Sequence, residues 1–145
     1  MSTSSVAQPV PAGRTFKAAL WVAQTLLCIP YVMIGFAKLT SPIPKLAATM
    51  AWTGQAPELF VRTMGIVDLA GGIGILLPAL TRIQPRLTVA AALGCTALQV
   101  LAIAFHVVRG EAATTPLNFV LLALSGFVLW GRGRKAPIQA RRTRA

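Results

Sequence analysis

Four long apolar runs, roughly 18–37, 61–80, 88–108 and 115–130, organise the chain, and shorter polar connections rich in proline separate them. Each run is close to the ~20 residues that carry a helix across a hydrocarbon core of ~30 Å, the last a little short. None has the charged outer face that a helix in a water-soluble fold requires. The pattern therefore predicts an all-α integral membrane protein: a four-helix bundle, antiparallel, over 14–132, with an irregular tail over 1–13 and a basic tail over 133–145. The first run is too long for the apolar core of a secretory signal and no convincing cleavage site follows it, so it reads as a retained anchor.

Polar and small residues inside the runs recur at helical spacing. Gln24, Cys28, Tyr31, Gly35 and Lys38 fall on one side of the first helix, and Cys95, Gln99, Ala102, His106 and Arg109 repeat that spacing in the third. The second helix offers Gly65, Asp68 and Gly72 beside Gly71 and Gly74; the fourth offers Asn118, Leu122 and Ser125. The stripes are expected to face one another. Lipid tails supply no hydrophobic drive for helix association, so Gly35, Gly65, Gly71, Gly72 and Gly74 are expected to serve close backbone packing.

Charge adds an orientation. Of 14 basic residues, Arg14, Lys17, Arg82, Arg86 and six in the segment from Gly131 onward fall on one side of the spans, while Lys38, Lys45, Arg62 and Arg109 fall on the other. The positive-inside rule places both termini in the cytoplasm, with Trp21 and Trp130 at the inner interface and Trp52 at the outer. A basic run of this kind can bind nucleic acid, but beside a spanning helix it is an orientation signal in contact with anionic lipid, and no nucleic-acid partner is expected. The segment 40–60 carries prolines that stop the first helix, and its LAATMAW stretch is expected to form a short interfacial helix over the outer end.

Asp68 is the most demanding residue. A carboxylate within a span costs roughly 2.5 to 3.5 kcal/mol on insertion scales near the midplane, so it needs a partner. Lys38 ends the first helix, His106 and Arg109 end the third, and Asn118 opens the fourth just after Glu111, so these groups converge on the outer third. A histidine beside an aspartate is suited to proton exchange or ligand binding; its alternative is a clasp between helix ends. Cys28 and Cys95 lack the spacing of a disulfide framework or a metal site. No nucleophile with an orienting base, no phosphate-cradling loop and no metal-ligand cluster is present, so catalysis by the chain alone is not expected.

From Tyr31 to Arg132 the chain resembles the DoxX-like family of small four-helix bacterial membrane proteins. The resemblance rests on YVMIGFAKL with a following PIPK, on AWTGQAPELFVRTMGIVDLAGGIGILLPAL, and on FHVVRGE and NFVLLALSGFVLWGR. Asp68 stands where the family pattern has Glu, keeping the charge on a side chain one methylene shorter. The resemblance implies the bacterial inner membrane, an association with quinol-oxidase, thiol or thiosulfate oxidation systems, and Lys38, Asp68, His106, Arg109, Glu111 and Asn118 as the positions of interest. Three functions stay open at this point. The first is an accessory subunit of a membrane redox system whose polar pocket takes a quinone or another small molecule, with His106 and Asp68 exchanging protons and Arg109 and Asn118 holding a carbonyl or anion. The second is a scaffold or assembly factor that recruits partner proteins. The third is a small-solute or proton pathway, which would need a homo-oligomer.

Overall fold

The structure is a computed structural model in which residues 12–141 are described. Most of the expected N-terminal tail, and Arg142 and Arg144 of the basic tail, lie outside the described residues. The described chain is helical with no strand: α1 (Arg14–Thr40), the short α2 (Ile43–Thr49), α3 (Glu58–Thr81), α4 (Arg86–Val108) and α5 (Pro116–Trp130), which continues as a wider turn through Lys135. α1, α3, α4 and the continuous helix over Pro116–Lys135 are each long and apolar enough to cross a membrane. The first begins earlier than the apolar run, at Arg14, because basic residues prolong the helix beyond its hydrophobic part.

Local chemistry sets the helix ends. α1 stops at Ser41, where Pro42 and Pro44 follow, since a residue before proline is pushed out of the helical region. Pro57 precedes α3, and Glu58 in its first turn complements the helix dipole. α3 closes on Arg82 in the left-handed conformation (φ 60°), an unusual terminator for a residue other than glycine. Gly110, at φ 74°, supplies the reversal after α4.

α1 packs most extensively on α3, α3 on α4, α4 on α5, and α5 on α1. The α1–α3 contact depends on absent side chains. A Cβ at Gly35 would stand 2.8 Å from the Gly65 carbonyl oxygen, and one at Gly72 would stand 3.0 Å from the Tyr31 Cβ. Gly74 meets Ala91 and Gly71 meets Cys95 in the same way across α3 and α4, at 2.9 and 2.8 Å. Such backbone approach is how helices gain contact where lipid is as apolar as the protein. Leu27, Tyr31, Ile75, Ala92, Cys95, Leu121 and Val128 fill the centre.

Arg132, counted with the basic run from Gly131 onward, is buried. Nε donates to Gln24 Oε1 at 2.8 Å, and the guanidinium lies 4.9 Å from the Trp21 ring centroid. Gln24 in turn donates to the Ile75 carbonyl at 2.8 Å, tying α1 to α3. The chain beyond folds back over the α3–α4 turn, where the Arg141 amide donates to the Arg82 carbonyl at 3.0 Å.

Candidate functional site

At the opposite end of the helices, residues from α1, α3, α4 and α5 surround a cavity of about 490 Å³. Lys38, Asp68, His106 and Asn118 border it, as do Tyr31 and Gln99, while Arg109 and Glu111 stand outside its lining. Four of the six sequence candidates are thus brought to one space. The remaining two sit at the α4–α5 turn.

Lys38 and Asp68 form the innermost pair. Lys38 Nζ donates to Asp68 Oδ2 at 2.7 Å, and both side chains are close to fully buried. Gly65 lets α1 and α3 approach closely beside this pair: a Cβ there would stand 2.9 Å from the Lys38 Cβ. Lys38 Nζ also lies 5.2 Å from the Trp52 ring centroid, so one aromatic face and one full charge stabilise it. No bond among the described residues engages Asp68 Oδ1.

His106 does not pair with Asp68. Its Nδ1 lies 2.9 Å from Glu111 Oε2, reached as the chain turns back after α4. Arg109 Nε donates to Glu111 Oε1 at 3.0 Å, and Arg109 Nη2 donates to Gln55 Oε1 at 2.6 Å. The Arg109 bond, and then the His106 contact, hold the Glu111 carboxyl below its ordinary value. Arg109 therefore fastens the segment after α2 to the end of α4.

A chain of neutral hydrogen bonds completes the polar wall. Asn118 Nδ2 donates to Gln99 Oε1 at 2.9 Å, Gln99 Nε2 donates to the Tyr31 hydroxyl at 2.7 Å, and that hydroxyl donates to the Cys95 carbonyl at 3.4 Å. Tyr31 and Gln99 stand on the same polar stripes as Lys38 and His106, and the structure extends the site one to two helical turns inward along those stripes. Arg62 carries an unforeseen role: it donates to the carbonyls of Lys38 and Ser41 while pairing with Glu58, so an α3 arginine caps the C-terminus of α1. The spacing Glu58–Arg62 was the available signal for the ion pair, but the cap is made across helices.

Trp52 borders the cavity and lies between α3 and α4. Its ring meets Phe60 at 6.2 Å and Phe105 at 6.1 Å, both edge to face. α2, over part of the stretch predicted to form a short interfacial helix, leads into the turn that carries this tryptophan.

Comparison with curated proteins finds no match, and comparison with solved structures finds none either. A family profile matches residues 22–128, from the first half of α1 almost to the end of α5. With its four span-length apolar helices, the chain is a membrane protein and belongs to the DoxX-like family.

Proposed function

We propose that this protein is an accessory subunit of a quinone- or thiol-linked membrane redox system in the bacterial inner membrane, and that the cavity at the Lys38–Asp68 end receives a small molecule. The four long helices form an antiparallel bundle with both termini cytoplasmic, as the excess of basic residues at the Arg132 end favours. The cavity then lies in the outer third of the bilayer.

One observation carries this proposal: a cavity of about 490 Å³ places a few convergent polar groups against otherwise apolar walls. That combination of size and lining characterises small-molecule sites. The residues suit a ring bearing carbonyl or hydroxyl oxygens. Lys38 has ammonium hydrogens to spare beyond Asp68, Asp68 Oδ1 can accept from a hydroxyl, and Asn118 Oδ1 offers a second acceptor. A quinone, when bound, would supply two-electron chemistry to be shared with a partner protein. His106 would serve the protons: Glu111 orients the imidazole through Nδ1, which leaves Nε2 to exchange a proton with the ligand.

Organic extraction of the purified protein, followed by thermal denaturation with and without added quinone, tests the proposal. A quinone in the extract and an upward shift of the transition are expected. An empty extract together with an unmoved transition would remove the ligand from the account.

A second reading, a scaffold without a ligand, is favoured by the internal pairing of every acidic group: Asp68 with Lys38, Glu58 with Arg62, and Glu111 with His106 and Arg109. Under it, substitutions in the cluster lower stability while nothing copurifies. Partner proteins would then dock on the outer helix faces or the basic tail.

A further inference from the structure

A second space adjoins the cavity at Leu98. This depression, of about 280 Å³, runs along α3 and α4, bordered by Ala70, Gly71, Ala91, Gly94 and Leu98 among others. Leu98 is a wall of both spaces, so they adjoin at that side chain. Their chemistry differs. The first holds two charges, two amides, an imidazole and a phenol; the second is lined by aliphatic side chains, glycines and the Cys95 thiol.

The groove exists because small residues leave it empty. A Cβ built at Gly94 meets nothing within 4 Å, whereas most glycines on α3 stand against a neighbouring helix. Gly94 and Ala70 are exposed on the outer surface, where acyl chains lie. The cavity has an apolar flank as well: Phe60, Leu101, Phe105 and Leu117 border it and are 41% to 67% exposed. The side toward water is covered instead, by the segment carrying Trp52, which Arg62 fastens at its start and Arg109 at its end.

We infer that the site takes a two-part amphiphile, a hydrogen-bonding head in the cavity and a single hydrocarbon tail in the α3–α4 groove, and that it is loaded from the bilayer. This rests on the small-molecule role proposed above and specifies the class of molecule. A water-soluble anion has neither a route through the apolar flank nor a use for the groove. A tailed head group has both, and once its head is seated beside Asp68 its tail leaves along Leu98. A side chain in the groove obstructs the exit of a tail whose head is seated and leaves a tailless head untouched, so blocking the groove probes the tail site directly.

The test compares two probes in lipid nanodiscs at equal mole fraction: tetramethylbenzoquinone, and its analogue with one methyl replaced by decyl. Gly94→Leu fills the groove, and its open surroundings accept the side chain; Gly126→Leu on α5, where a Cβ also meets nothing within 4 Å, controls for bulk. Gly94→Leu is expected to weaken the decyl compound by about tenfold or more, the scale of overpacking by a few carbon atoms, and to leave the tailless compound within about twofold. In the wild type, a diazirine at the end of the decyl chain is expected to label residues 67–71 or 91–98. Equal binding of both probes to wild type and Gly94→Leu, or labelling confined to α5, overturns the tail site and leaves the head site standing. Failure of both probes to bind the wild type overturns the small-molecule role and this inference with it. A change of oligomeric size in Gly94→Leu with unchanged binding would make the groove the seat of a second copy, and overturns the tail site too.

Discussion

Lys38 and Arg132 are both buried cations on the same set of helices, and they are handled in opposite ways. Lys38 is neutralised by a full charge, Asp68 at 2.7 Å, and borders a cavity. Arg132 has no carboxylate: it is held by the neutral Gln24 oxygen and the Trp21 face, and its Nη2 is enclosed without a partner among the described residues. The three acidic residues of the chain are all committed at the Lys38 end. One end thus keeps spare hydrogen-bonding capacity beside empty volume. The other spends its polar groups on closing the helices together, with the chain after Lys135 folded over them.

Removing one partner of the Lys38 pair should have the largest effect. Asp68→Ala leaves a buried ammonium without its counter-charge and is expected to cost about 3 kcal/mol or more, read from denaturation in mild detergent. The double variant Lys38→Met, Asp68→Leu should recover most of that loss, because an apolar pair of similar volume avoids both desolvation costs. A double variant no more stable than Asp68→Ala would show that the pair is not the source of the effect.

Arg132→Gln should cost less, about 1 to 3 kcal/mol, for the loss of a buried charged hydrogen bond and of stacking on Trp21. It sharpens the contrast because bound ligand should be unaltered. Loss of ligand in Arg132→Gln would mean that the two ends are coupled.

The smallest effect concerns Glu111. Its folded value lies below the ordinary 4.5, held there first by Arg109 and then by His106. Its contribution to stability is therefore complete above that ordinary value and is lost as pH falls through the lowered one. Melting temperatures of wild type and Glu111→Gln should differ modestly near neutrality and converge in acid. A difference that widens on acidification would contradict the assignment.

The apolar runs made the four spanning helices legible because a run of that length has few other uses, and the prolines of the 40–60 segment marked where α1 ends and a short helix follows. The stripes showed which residues share a helix face, and the helix ends showed which share a depth. Partner choice was less accessible. Asp68 visibly needed a partner, but that Lys38 rather than His106 supplies it depends on how α1 and α3 are rotated against each other where Gly65 lets them approach. His106 finds Glu111 through a turn whose shape depends on Gly110. Arg132 read as one of six orientation charges after the last apolar run, since nothing in the local sequence announces that Gln24, more than a hundred positions earlier, waits beneath it. The groove beside Gly94 was hidden for a related reason: glycine in a membrane helix signals close packing, and only the assembled helices reveal which glycine faces open space.

Native mass spectrometry of the gently extracted protein, with Asp68→Asn and Arg132→Gln measured beside the wild type, tests the contrast between the two ends most directly. The account predicts a small molecule on the wild type that persists in Arg132→Gln and is lost in Asp68→Asn. A wild type that carries nothing, with both variants merely less stable, would make the Lys38 end a structural clasp like the other.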